Sequence, residues 1–285
     1  MRGKIAILFA VFLLVATFPL GFTTGHTRQN GHQNGHHTDG NGAKPVAIGN
    51  DIYCAGFISE TVVSSRLRII SSERGDINFI SQRDVVHING GSEQGIKEGG
   101  LFKIVRPIGL FKNPYTKARL GYLTQELGVL RVIAVRENSS TAIVTFACTE
   151  IGVGEMLLPF EQRISPQVRP YQALDRYGAA KERLTGRIIL ERGGSLSFGE
   201  RSVVHIDLGA DHGVKAGDYF TIYRMAHEVG PEKKSKDKVI NNLAGEKIRK
   251  VLGELVVIHV EKKASTAIIT RTIGEVDLGD FVEIQ

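Results

Sequence analysis

Apolar and polar residues alternate with a period of two in short runs along this chain, and glycine- or proline-bearing turns separate the runs. That period belongs to β-strands, whose successive side chains point to opposite faces of a sheet. Clear cases are VVHI, LFKIVR, LRVIAV and STAIVTF in the first half, and VVHI, YFTIYR, LVVIHV and STAIIT in the second. In the first VVHI, Val86 and Ile88 are expected on one face and Val85 and His87 on the other. Parts of these strands are apolar on both faces, which predicts a closed barrel in preference to an open sheet with one wet side. A short last strand follows in each half, MLLPF after Gly154-Glu155 and FVEI after Gly279-Asp280. About six short strands per half make a small antiparallel barrel, so the fold class is all-β, with two tandem barrels.

The two halves echo each other. Residues 83–106 and 201–224 agree at 12 of 24 positions without a gap, among them Arg83/Arg201, His87/His205 and Phe102/Phe220. The echo resumes seven residues out of step, from Leu127/Leu252 to Gly154/Gly279. A repeat absorbs such an insertion in a surface connection, so the pattern predicts a duplicated domain: module 1 over 49–160 and module 2 over 184–285. The first strands are expected in IYCAGFISETVV, from Ile52, and LTGRIILERGG, from Leu184. Between the second and third strands, Gly95, Lys97 and Gly99 recur as Gly213, Lys215 and Gly217. Glycine is the least costly residue at positive φ, so these positions predict a tight turn that tucks Ile96 or Val214 into the barrel end.

Outside the modules the pattern changes. Residues 1–25 place Arg2 and Lys4 before the apolar run 5–16 and end on small residues, which predicts a secretory signal, or an anchor if it is not cleaved. Residues 26–48 are rich in Gly, Asn and His and predict a disordered linker. His26, His32, His36 and His37 lie there without a backbone framework to hold a metal, so no metal site is expected. Residues 161–183 carry Pro166 and Pro170 and read as a semi-rigid linker, with one or two helical turns after Tyr171.

Chemistry adds little. The motifs of serine hydrolases, zinc peptidases, redox dithiols and nucleotide-binding loops are missing, so neither catalytic residues nor a cofactor is predicted. His87 and His205 recur in register but have no acid or nucleophile in their local pattern, and read as strand residues. Cys54 and Cys148 are the only cysteines. In an exported chain they are a candidate disulfide, and two buried thiols are the other reading. The formal net charge is +6, of which Arg2 and Lys4 belong to the leader, leaving +4 over the remainder. That excess is small, and with export and no aromatic cluster on a strand pair it argues against nucleic acid. Each module also has a long arm between its third and fourth strands, over 107–126 and 225–251. The second arm is basic, and Lys233, Lys234, Lys236, Lys238, Lys247, Arg249 and Lys250 form a candidate interaction loop.

The run of VHID, GVKAGD, FTIYR, LGELVV, STA and LGD between Val203 and Val282 resembles the C-terminal β domain of flagellar assembly protein T. More distantly it is similar to the β domains of the rod-shape scaffold MreC. Module 1 departs from the pattern at Gly100, where module 2 has Asp218, and at Glu155, where it has Asp280. The resemblance implies a periplasmic or envelope-associated, non-enzymatic part of a larger assembly. The partners expected are envelope proteins, with cell-wall glycan bound through the basic arm as the alternative. Membrane contact is expected only through the N-terminal segment, and the sequence sets no oligomeric state.

Overall fold

The computed structural model describes residues 44–75, 79–181, 183–227 and 247–285. The expected signal peptide and the His-rich segment as far as residue 43 lie outside the described residues, as does the basic arm over 228–246. One short helix, α1 (Gly49–Tyr53), precedes seven strands: β1 (Phe57–Ser59), β2 (Ile69–Ser72), β3 (Val85–Ile88), β4 (Leu101–Lys112), β5 (Arg119–Val135), β6 (Ser140–Ala147) and β7 (Met156–Pro159). Module 2 follows with β8 (Thr185–Glu191), β9 (Ser197–Phe198), β10 (Val203–Ile206), β11 (Tyr219–His227), β12 (Lys247–Val260), β13 (Ser265–Thr272), β14 (Val276–Asp277) and β15 (Phe281–Ile284).

Module 2 is a closed antiparallel barrel in the order β10-β13-β12-β11-β15-β8. Its interior is filled by Ile188, Val204, Ile206, Phe220, Ile222, Leu255, Val257 and Val282, all without solvent exposure. Module 1 is a sheet with the corresponding order β2-β3-β6-β5-β4-β7 and β1 as a branch on β5. Its end strands meet at the single bridge Arg68–Met156, supported by backbone bonds from Ile69 to Glu155 and from Leu157 to Leu67. The registers coincide residue by residue: Leu101 faces Arg131 as Tyr219 faces Val256, and Val129 faces Phe146 as Glu254 faces Arg271. Even the bulges fall together, at Ile104/Val105 and at Ile222/Tyr223.

The register corrects one strand. IYCAGFISETVV is not the counterpart of LTGRIILERGG: its first residues end α1, and Phe57–Ser59 pair with the outer half of β5. The counterpart of β8 is β2, because Ile69 faces Ile88 as Ile188 faces Ile206. Arg68 donates to the Gly154 carbonyl at 2.9 Å, and Arg187 to that of Gly279 at 3.0 Å.

Residues 43–285 form one compact unit because module 1 reaches around module 2. Val46, Ala47, Ile52 and Ala55 cover Val203, Val256, Ile258 and Ile268 on the outer wall of the barrel. Burying each of the larger aliphatic side chains contributes roughly 1.5–3 kcal/mol. The expected arm of module 1 is a β-hairpin wing, whose Leu120 and Phe111, with Ile58 of the adjoining β1, pack on Ile189 and Ala264. At the wing tip, Asn113 accepts from the amides of Tyr115 and Thr116 and donates to Asp207 at 2.7 Å. Apolarity on both faces of β10 and β13 therefore has a second cause besides barrel closure: their outer faces are covered by other parts of the chain.

Residues 161–181 do not form the expected helical turns after Tyr171. Residues 166–168 instead run extended beside residues 44–46, with Val46 donating to Pro166 and Val168 to Lys44, and the chain makes a turn at Asp175–Gly178. Pro166 and Pro170 fix φ and oppose helix there, while Arg163 and Arg169 pin the strap to buried carboxylates.

Candidate functional site

The recurring turns are built alike. Gly95 and Gly213 close a 3-10 turn at φ of 76° and 80°, and Gly99 and Gly217 follow at 81° and 94°. Ile96 and Val214 are buried in their module cores, while Lys97 and Lys215 face solvent. Within the second turn Asp218 accepts from the Lys215 amide at 2.8 Å, a bond Gly100 cannot make. The other departure is conservative in space: Arg106 pairs with Glu155 and Arg224 with Asp280. These six turn residues shape the strand connections of the two modules and do not converge on a shared cavity.

The candidate interaction loop is only partly placed. Lys233, Lys234, Lys236 and Lys238 lie outside the described residues, as does the side chain of Lys247. Lys250 is half-buried. Arg249 is turned inward: it pairs with Glu283 at 2.6 Å, donates to the Gly178 and Ala179 carbonyls, and stacks on Tyr223. Its strand position faces the strap, and it is therefore a structural residue and not a free contact.

A cleft of about 590 Å³ opens where the modules meet. Cys54 and Cys148 lie on its wall and are joined in a disulfide with Cα atoms 5.5 Å apart. Cys54 terminates α1 and Cys148 directly follows β6, so the bridge fastens the segment that covers module 2 to the body of module 1. Glu126, on the cleft floor, accepts two bonds from Arg163 at 2.7 and 2.9 Å and one from the Gly56 amide at 3.2 Å. Lys103 stands 3.8 Å away. Burial pushes the Lys103 ammonium below its usual range, and the Arg163 charge adds to that, while Glu126 opposes it.

His205 also lines the cleft and is 2% exposed. Its Nδ1 lies 3.2 Å from the Thr266 hydroxyl, which donates to the Gly56 carbonyl. The equivalent His87 and Thr141 are the same distance apart in module 1. Burial lowers the His205 pKa to about 4, the nearby His259 adds to this, and a hydrogen bond to the Ala55 backbone works against it. The ring is a neutral peg between module 2 and the covering segment. The ionisable groups of the cleft floor thus bond to the protein itself, and the arrangement locks modules together.

No protein-family model matches this chain, and none of the curated proteins matches it. The functional reading therefore rests on geometry and on what the sequence leads one to expect. Among the described residues no three His, Cys, Asp or Glu side chains form a metal-binding group, and no helix is long and apolar enough to cross a membrane. His26, His32, His36 and His37 are outside them.

A second concavity was not legible in the sequence. Tyr53, Leu101, Val129, Thr145, Phe146 and Phe160 line a shallow apolar groove of about 360 Å³ on the outer face of module 1. Its residues come from five separate stretches. The available signal was the pairing of apolar residues in module 1 with polar ones in module 2: Val129 with Glu254, Phe146 with Arg271 and Phe160 with Gln285.

Proposed function

We propose that this chain is an exported, non-enzymatic scaffold or interaction protein of the cell envelope, built from two copies of one small barrel. The carrying observation is the clasp between the modules: residues 44–60, the wing and the strap join two similar units into one body with fixed outer surfaces. A part of a larger assembly needs surfaces held at a constant spacing, and ordinary linkers leave tandem domains free to move. Three further features support the reading. The shared registers favour duplication, the Cys54–Cys148 bridge suits an oxidising compartment, and residues 203–282 resemble a domain of envelope assemblies.

Crosslinking and mass spectrometry on intact cells expressing a tagged full-length chain test this reading. Reproducible links from exposed lysines to particular envelope proteins are expected. Links confined to cytoplasmic proteins would overturn it, and retention on isolated cell wall without protein links would favour the glycan alternative.

A further inference from the structure

Because the strand registers coincide, the outer faces of the two modules can be compared position by position. On module 2, Tyr219, Glu254, Thr270, Arg271 and Gln285 form one patch, and the extended strap lies across it. The Arg169 guanidinium stacks on the Tyr219 ring at 4.0 Å and pairs with Glu254. The Tyr219 hydroxyl donates to the Gln167 carbonyl at 3.2 Å, and Arg271 stacks on Tyr171 at 4.7 Å. At the equivalent positions module 1 has Leu101, Val129, Thr145, Phe146 and Phe160, which line the open groove of about 360 Å³. Leu101 is 41% exposed there, and Tyr53 packs on Phe160 with ring centroids 5.0 Å apart. Arg131 stands in the groove where module 2 has Val256, exposed and without an ion pair among the described residues.

We propose that this groove docks an extended, mainly apolar segment of a partner protein, and that an acidic residue of the segment meets Arg131. The proposal rests on the reading of the chain as an interaction protein and says what kind of partner it takes. The fold supplies its own precedent, since an extended segment occupies the same face one module further along the chain. The groove's chemistry then sets the ligand's: Val129 and Phe146 replace the charged Glu254 and Arg271 of module 2, and the charge left among the groove's lining residues is the base Arg131. That change also argues against a second copy of the strap as occupant, because its Arg169 would face Arg131. An exposed apolar patch of this kind gains from being covered, and an extended segment presents alternate side chains to such a surface.

The test measures fluorescence anisotropy of labelled nonapeptides with the folded full-length chain at low ionic strength. The peptides alternate Val, Leu and Phe with Ser and carry one central Asp or one central Lys. The Asp peptide is expected to bind about two- to five-fold more tightly than the Lys peptide, the scale of an exposed ion pair. Arg131→Glu reverses that order, and Phe146→Glu or Leu101→Glu weakens both peptides by more than about ten-fold, the scale of losing one buried apolar side chain. All three variants are expected to keep the wild-type circular dichroism, because the side chains are not in the barrel core. Absence of binding by either peptide, an order unchanged by Arg131→Glu, or binding that survives both apolar replacements would overturn the proposal. So would a dimer in sedimentation equilibrium that Leu101→Glu splits, since a second copy would then fill the groove. Peptide discrimination without envelope crosslinks would sink the wider reading and leave the groove standing; crosslinks without discrimination would do the reverse.

Discussion

His205 shows how one enclosed side chain ties stability to pH. Its folded pKa of about 4 lies below the ordinary histidine value of 6.5, so the unfolded chain takes up a proton that the folded one refuses. The His205 contribution is fully present above pH 6.5 and is lost as the pH falls toward 4, by roughly 3 kcal/mol in all. Urea midpoints at pH 7.0, 5.5 and 4.5 should therefore fall more steeply for the wild type than for His205→Gln; parallel curves would refute the assignment. Glu126 makes a different case, because its carboxylate is 1% exposed and depends on Arg163. Arg163→Ala leaves that charge only the Gly56 amide and the Lys103 ammonium at 3.8 Å, and is expected to cost about 3 kcal/mol in chemical denaturation. Adding Glu126→Gln to that variant should restore much of the loss.

At the scale of elements, the Cys54–Cys148 bridge holds the covering segment across 94 residues of chain. Replacing both cysteines with alanine is expected to destabilise the protein by roughly 2–4 kcal/mol. Amide exchange should rise first over residues 44–60; a uniform rise would mean that the bridge does not act through the clasp. The repeated strands were legible because each keeps its core-facing alternation, as in Val86 and Ile88. The first strand of module 1 was misplaced because IYCAGFIS is as apolar as a strand, yet Ile52 and Ala55 face the other module. The Arg68-Ile69-Ile70 and Arg187-Ile188-Ile189 echo marks the true pair, but three residues of common type carry little weight in isolation. The wing was read as a surface arm, because Phe111 and Leu120 find their partner in Ile189, a residue of the other module. Hydrophobic period reports that a face is covered, and is silent on what covers it.

At the scale of the molecule, the clasp predicts that the modules unfold together. Calorimetry of the full chain should give one transition over residues 43–285; two well-separated transitions would mean that the modules are energetically independent. A fragment of residues 184–285 uncovers Val203, Val256, Ile258 and Ile268 together, and is expected to associate or precipitate at concentrations where the whole chain stays dispersed. The groove of module 1 was legible at this scale alone, since it required laying one module's outer face over the other's.

The covering segment also sets a timetable. A ribosome delivers residues 44–60 before the rest of either module, and β10, β12 and β13, which they cover, emerge only after module 1 is complete. Val46 and Ile52 therefore have no outer wall to cover while module 1 is being completed. Cys54 and Cys148 are both out before β8 begins. The nascent chain can thus tether the segment to module 1 early, but must keep its apolar side unpaired for more than a hundred residues of elongation. That interval is when a holdase has something to hold.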